Sequence, residues 1–161
     1  MYETLITPTG LSRLCEELDR LKSTGRDEIA ERIRHAISTD ADPTANADYL
    51  AAREEQALHE AKIARLEQRL TAVRVVEADA ANDVVDLGER VMLRDLDTKA
   101  VHEYQLVGSL EADPAAGRIS AESPLGRTLI GLGAGDVVVV EAPKGQRRLR
   151  ILAIEQAAAV A

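Results

Sequence analysis

The sequence predicts an α+β protein in which an antiparallel coiled-coil hairpin of two long helices precedes a small β-rich domain. Residues of the first half repeat with helical spacing, whereas the second half consists of short apolar or alternating segments separated by turn signals. The pattern changes near "VEADAAND", residues 76–83. We therefore predict two domains, at residues 1–77 and 78–161, with an acidic hairpin tip at about residues 39–48.

The first predicted helix carries a coiled-coil seam that begins with spacings of three and four and continues in steps of four. Its positions are Leu11, Leu14, Leu18, Leu21, Gly25, Ile29 and Ile33. The run of fours departs from a strict heptad and predicts a local change in the supercoil. Thr9 is the residue predicted to cap the helix N-terminus. The lone Cys15 excludes an internal disulfide and is predicted to be a buried structural thiol.

The second predicted helix repeats the same spacing, at Ile63, Leu66, Leu70 and Val73. Its seam extends toward the preceding loop through Ala52, Gln56 and His59, where it becomes more polar. Each predicted helix has roughly 25–30 residues. Two such helices joined by a short turn predict an antiparallel hairpin about 40 Å long. Because the seam is more polar near the loop, we expect the hairpin to be tightest at its base and looser at its tip.

The second half predicts a series of short strands. The segments are "DLGERVMLRDL", "VHEYQLVG", "RISAE", "DVVVVEA" and "RRLRILAIE", and turn signals such as "DPAAG" and "APKGQ" separate them. "SPLGRTLIG" interrupts this rhythm and predicts a short helical turn, capped by Ser123 with Pro124 at its first position.

The composition narrows the class of function. The formal net charge is -8, and 45% of the residues are hydrophobic, which argues against disorder. An acidic chain is a poor candidate for autonomous DNA binding, because phosphate contacts need clustered Lys and Arg. We see no apolar run that could span a membrane and no signal-peptide pattern, so we expect a cytoplasmic protein.

Residues for a self-contained active site are hard to assemble. His35, His59 and His102 fall in different elements, and "GLGAG" lacks the pattern of a phosphate-binding loop. The loop "TDADPTANADY", residues 39–49, offers Asp40, Asp42 and Asp48, whose oxygens suit Mg²⁺. These carboxylates are too few for a site of their own, so we expect no cofactor and no metal bound by the chain alone. Two interpretations stay open: a solvated turn, or carboxylates that complete a metal site in a partner.

Three motifs carry a family resemblance. They are "LCEELDRLK" at 14–22, "NADYLAAREEQ" at 46–56 and "SPLGRTLIGLGAGDVVVV" at 123–140. In this order and position the chain resembles the bacterial Gre transcription elongation factors, which bind RNA polymerase. The resemblance runs over residues 5–155, nearly the whole chain.

The resemblance implies an FKBP-like second domain that docks at the rim of the polymerase secondary channel, while the hairpin enters the channel. Two acidic tip residues of the family help to hold a second Mg²⁺ and water there, so that the polymerase cleaves backtracked RNA itself. We predict docking at Ser123, Pro124 and Leu125, and channel contacts at Asn46, Tyr49 and Arg53, with less weight on the pair Arg32 and Arg34. The chain would be a monomer and not an enzyme, acting through the polymerase active site.

The tip departs from the family pattern. Counted back from Asn46, the family Asp falls on Asp42, whereas Ala45 occupies the place of the family Glu. Counted forward from the first motif, the loop has one extra residue and the Asp matches Asp40 or Asp42. We therefore predict a secondary-channel-binding regulator that inhibits or modulates transcription without efficient cleavage. The alternative is a transcript cleavage factor in which Asp40 or Asp48 replaces the missing Glu; a prolyl isomerase and a plain coiled-coil adaptor are weaker readings.

Overall fold

A computed structural model of the chain describes residues 3–39, 42, 44–78 and 83–156. The helices are α1 (Pro8–Arg20), α2 (Arg26–Thr39), α3 (Ala47–Thr71) and α4 (Pro124–Leu129), with a π-turn at Leu21–Gly25. The strands are β1 (Thr4–Ile6), β2 (Val73–Val75), β3 (Glu89–Asp95), β4 (Val101–Val107), β5 (Arg118–Ser120), β6 (Val137–Ala142) and β7 (Gly145–Gln156). The predicted α+β class, a helical hairpin followed by a β-rich part, is confirmed. No helix in these ranges combines the length and the apolar character that crossing a bilayer requires.

The chain packs into two compact units. One, the hairpin unit, consists of residues 12–72, and the other, the sheet unit, consists of the described residues of 1–11 and 73–161. The domain ranges predicted from the sequence, 1–77 and 78–161, stay a prediction.

A π-turn lies in the first arm of the hairpin where the seam runs in steps of four. In a regular α-helix three successive steps of four residues drift by about 120° around the axis. The wider turn at Leu21–Gly25 absorbs part of that drift and returns Ile29 to the buried face. The predicted local change in the supercoil stays a prediction. The carbonyl oxygen of Leu21 accepts a hydrogen bond from Nε2 of His59 at 2.7 Å.

The seam residues are buried or half-buried and so form the inner face of the hairpin. Among the described residues of the hairpin unit, the fully buried apolar ones are Ile29, Ala36, Ala52 and Ile63. Near the base, Leu14, Leu18, Leu66 and Leu70 are only half-buried. Exposure to water does not measure the distance between the helices, so the expectation of a tight base and a looser tip stays a prediction.

Two local predictions for α1 are wrong. Cys15 is exposed, because it follows Leu14 by one residue and so lies about 100° around the helix, on the solvent side. The helix is capped by Thr7 and not by Thr9: the Thr7 hydroxyl accepts a hydrogen bond from Gly10 N at 3.0 Å, and Pro8 occupies the first helical position.

The sheet unit is built around a five-stranded sheet in the order β5-β4-β3-β7-β6, in which only the β4–β5 pair is parallel. One face carries the core, formed by Val85, Val91, Leu93, Leu106, Leu129, Val138, Leu149 and Ile151. Leu129 belongs to α4, so that helix covers the inner face of the sheet. All five strands and α4 agree with the segments predicted from the sequence.

A second, parallel pair of strands, β1 and β2, was not predicted. Each strand has three residues, and 69 positions separate the paired residues Thr4 and Val73, so no local pattern announces the pair. Beside it lies the buried Glu111, whose carboxylate accepts hydrogen bonds from Thr7 N at 2.9 Å, from Gly108 N at 2.8 Å and from the Thr7 hydroxyl. Since a buried carboxylate needs such donors, Glu111 fastens the start of α1 inside the sheet unit.

Candidate functional site

The hairpin tip is organised by Asn46. This residue is 5% exposed, and its side chain caps α3 by accepting a hydrogen bond from Tyr49 N at 3.0 Å. Its amide nitrogen donates to the carbonyl oxygen of Ala36 at 2.7 Å, near the end of α2. One side chain therefore satisfies groups at two helix ends that would otherwise lack partners. Its sequence prediction as a channel contact stays a prediction.

Asp42 lies in a tight turn of its own. Its carboxylate accepts hydrogen bonds from the Thr44 hydroxyl at 2.7 Å and from Thr44 N at 3.0 Å, and Ala45 N reaches the Asp42 carbonyl oxygen at 3.3 Å. The Thr44 hydroxyl, and then the backbone N–H groups, hold the pKa of Asp42 below its ordinary value. The exposed carboxylate of Asp42 therefore stays ionised to a lower pH than an ordinary aspartate.

The other predicted tip residues lie near Asp42 in sequence but differ in setting. Asp48 is exposed in the first turn of α3, where a negative charge is favourable, and Tyr49 is half-buried beside it. Arg53 is exposed and donates to Gln56 at 2.7 Å. Arg32 is ion-paired with Glu55, and Arg34 with Glu31. Asp40 lies outside the described residues.

An open groove of about 670 Å³ runs along the hairpin next to the tip. Its lining includes Asp48, Glu28, Glu31 and Glu55, together with Arg32 and His35. Within the part of the chain that the structure describes, no three His, Cys, Asp or Glu residues come together as a metal site would need. The described tip thus exposes carboxylates without gathering them around a cation.

The predicted docking loop starts α4. The Ser123 hydroxyl accepts from Gly126 N at 3.1 Å and donates to the Ser120 carbonyl oxygen at 2.6 Å, so it caps the helix. Pro124 is exposed, whereas Leu125 is half-buried and packs against the core of the sheet unit. Ser123 and Leu125 therefore have structural roles, and Pro124 is the member of the trio that a partner can reach most freely. Docking itself stays a prediction.

Sequence reasoning missed the role of Thr44. The structure shows Thr44 as the donor that holds Asp42. The signal was available, since an Asp followed two residues later by Thr is typical of an Asx-turn. His59 was placed on the seam, but its bond to the π-turn depends on a residue 38 positions away and could not be read locally.

The chain combines a helical hairpin that has an acidic tip with a β-rich unit. Family comparisons place it in a class of two-part transcription elongation factors. Residues 4–75 match the family model described as the transcription elongation factor N-terminal domain, and residues 80–156 match the GreA/GreB C-terminal domain. Together these matches span nearly the whole chain. The chain belongs to the GreA/GreB family of transcription elongation factors.

Two GreA proteins agree with that assignment. The chain is 44% identical to transcription elongation factor GreA of Alkaliphilus oremlandii over 153 residues, 94% of this chain and 96% of that protein. It is 42% identical to GreA of Acetivibrio thermocellus over 155 residues, 96% of this chain and 97% of the relative. A solved structure, GreA factor homolog 1 of Thermus thermophilus, is 31% identical, with a TM-score of 0.42, and covers 96% of this chain and 99% of its own.

Proposed function

We propose that the chain binds RNA polymerase, reaches into its secondary channel with the hairpin, and modulates nucleotide addition without efficient transcript cleavage. The observation that carries the proposal is the exposed Ala45 directly before the buried cap Asn46. The family resemblance places a glutamate at this position. A methyl group cannot coordinate Mg²⁺ or orient a water molecule.

The geometry of Asp42 supports the same proposal. Its carboxylate is ionised, exposed and held in one orientation by Thr44, so it can meet a cation presented by a partner. Two metal ions on one phosphate stabilise both the entering and the leaving oxygen, which requires ligands for both. One carboxylate can perturb a metal ion held by the polymerase but does not by itself organise the attacking water.

A second candidate is a transcript cleavage factor, and the 44% identity to a GreA elongation factor over 94% of this chain favours it. In that case another carboxylate has to replace the missing glutamate. Asp48 is exposed in the first turn of α3, three residues after Ala45.

The deciding experiment measures transcript cleavage and nucleotide addition side by side on one purified bacterial RNA polymerase, with a cleavage-active Gre factor as reference. We expect the unmodified chain to slow addition and to cleave backtracked RNA poorly. Ala45→Glu should raise cleavage, and Ala45→Gln, which has the same shape without the charge, should not. Deleting Thr44 would shorten the loop by the one extra residue but would also release Asp42. Ala45→Glu is therefore tested both with Thr44 and without it. Misplacement of a catalytic group by about 1 Å can cost roughly a hundredfold in rate.

Two further variants test the tip. Asp42→Asn combined with Asp40→Asn should weaken the effect on nucleotide addition while leaving polymerase binding nearly intact. Cleavage by the unmodified chain at the rate of the reference factor would instead establish the second candidate. An unchanged effect on addition after loss of both carboxylates would show that the hairpin acts by filling the channel and that the acids are irrelevant.

A further inference from the structure

The outer face of the sheet brings two arginines together. Arg94 of β3 is directly opposite Arg150 of β7, and both side chains are exposed. The register continues the row at either side, to Val101 of β4 and to Val137 of β6. Directly opposite residues of an antiparallel pair have Cα atoms about 4.5–5.5 Å apart. Like charges in that position destabilise a sheet.

Other arginines on the same face are neutralised. Arg90 is paired with Glu103 at 3.6 Å and Arg148 with Asp97 at 3.0 Å. Among residues 3–39, 42, 44–78 and 83–156, no carboxylate forms an ion pair with Arg94 or Arg150. The chain carries a net charge of -8, so acidic residues are plentiful, yet none of the described ones reaches this pair. The exposed pair is therefore available to carboxylates of a partner.

The surroundings of the pair are aliphatic. Val101 is 46% exposed, Val137 44% and Val139 50%, and Val139 is directly opposite Arg148. We call Arg94, Arg150, Val101, Val137 and Val139 the arginine face. Exposed valines around unpaired guanidinium groups are suited to a protein surface that carries both carboxylates and apolar side chains. Nucleic acid fits less well, since single-strand sites combine basic groups with stacking aromatic residues, and none of the five residues of the arginine face is aromatic.

We infer that the arginine face is a second docking surface of the sheet unit, and that its occupant is an acidic segment of RNA polymerase with aliphatic side chains beside its carboxylates. This inference rests on the proposed function, which makes the polymerase the partner. The predicted loop at Ser123 begins α4, and α4 covers the core side of the sheet, whereas the arginine face is the opposite side. The sheet unit would therefore be held on two sides, and the new surface adds a salt-sensitive component to docking.

The test measures binding of the full chain to purified core RNA polymerase over a series of NaCl concentrations. Arg94→Gln combined with Arg150→Gln should raise the Kd about tenfold at low ionic strength and flatten its dependence on salt. Arg90→Gln is the matched control, because it removes an arginine from the same strand and face that Glu103 already neutralises. We expect this control to change the Kd less than about twofold.

Arg150→Glu separates lost binding from damaged folding. It places a carboxylate opposite Arg94, so thermal unfolding should move to a higher temperature while polymerase binding weakens further. A variant that is more stable and yet binds worse has lost a contact and not its fold. Pro124→Glu, measured in parallel, reports on the loop alone.

The outcomes are distinguishable. If the unmodified chain does not bind the polymerase, the proposed function and this inference both fail. Suppose instead that the unmodified chain binds and that Pro124→Glu weakens binding. If the arginine variants then bind as tightly as the control, only the inference about the arginine face is overturned. Binding of a single-stranded RNA oligonucleotide that is lost in the double glutamine variant, with polymerase affinity unchanged, would overturn it in favour of nucleic acid.

Discussion

The hairpin unit and the sheet unit are stabilised in different ways. The sheet unit has a cluster of eight buried apolar residues from strands, loops and α4. Among the described residues of the hairpin unit, the fully buried apolar ones are Ile29, Ala36, Ala52 and Ile63, of which two are alanines. Because hydrophobic stabilisation grows with the apolar area removed from water, the sheet unit depends on its core. The hairpin depends more on individual polar contacts.

Two of those contacts mark the hairpin. His59 donates to the Leu21 carbonyl oxygen in the π-turn, and Asn46 connects the ends of α2 and α3 at the tip. Exposed ion pairs such as Arg26 with Glu60, at 2.8 and 2.9 Å, add to them, although single surface pairs contribute little. The comparison therefore predicts that a large apolar truncation destabilises the sheet unit most, whereas small polar changes destabilise the hairpin.

The largest effect is expected in the sheet core. Leu93 is fully buried, so Leu93→Ala should lower the free energy of unfolding by about 2–5 kcal/mol through lost burial and the cavity left behind. Urea unfolding followed by circular dichroism measures it. Ile63→Ala is the counterpart in the hairpin and should cost less, because the described part of the hairpin unit has four fully buried apolar residues against the eight of the sheet core. An equal or larger cost for Ile63→Ala would contradict the comparison.

A smaller effect is expected at the π-turn, where helix propensity alone predicts the opposite sign. Alanine stabilises a helix interior relative to glycine by about 1 kcal/mol. A Cβ at Gly25, however, would lie 2.5 Å from Cε1 and 2.8 Å from Nε2 of His59. We therefore expect Gly25→Ala to destabilise the hairpin by about 1–3 kcal/mol, by crowding the ring off the Leu21 carbonyl.

The control for Gly25 is the same change in a His59→Ala background. Without the ring the clash is gone, and alanine should then be neutral or stabilising. A double-mutant cycle measured by thermal unfolding gives the coupling between the two sites. No coupling would mean that the ring moves aside freely and that His59 does not hold the turn.

At the tip, Asn46→Ala should destabilise the hairpin by about 0.5–2 kcal/mol, since it removes the cap of α3. Asn46→Asp keeps an acceptor for Tyr49 N but loses the donor to the Ala36 carbonyl oxygen. Its stability should therefore fall between that of the unmodified chain and that of Asn46→Ala. Amide hydrogen exchange of α3 residues near the tip locates the effect. Uniform exchange along α3 in both variants would argue against a local fastening.

The smallest expected change in stability is at Thr44, where the readout is protonation. Thr44→Val removes the hydroxyl that donates to Asp42, so the pKa of Asp42 should rise toward its ordinary value. This pKa is lowered in the folded chain. The carboxylate therefore contributes to the free energy of unfolding above the ordinary carboxyl range, and this contribution is lost as the pH falls through the lowered pKa. Carbon-detected NMR titration of Asp42 measures the shift, and Thr44→Ser should retain the lowered value.

Much of the architecture could be predicted from local pattern. Period and turn signals predicted the hairpin, the five strands of the sheet and the cap of α4 at Ser123. The β1–β2 pair could not be predicted in this way, because each strand is short and its partner is distant. The candidate site divides similarly: Ala45, the three aspartates and the spacing of Asp42 and Thr44 are visible in the sequence, but the burial of Asn46 is not.

The sequence by itself determined the periodicities, the acidic tip and the absence of a glutamate before Asn46, because these depend only on residue identity and spacing. Tertiary structure alone decided that Ala36 and Ala52 are buried, that His59 meets the π-turn and that Arg94 faces Arg150. These outcomes depend on the register between elements far apart in the chain. A change of one residue in strand register would move a side chain to the other face, and no local pattern records which register is realised.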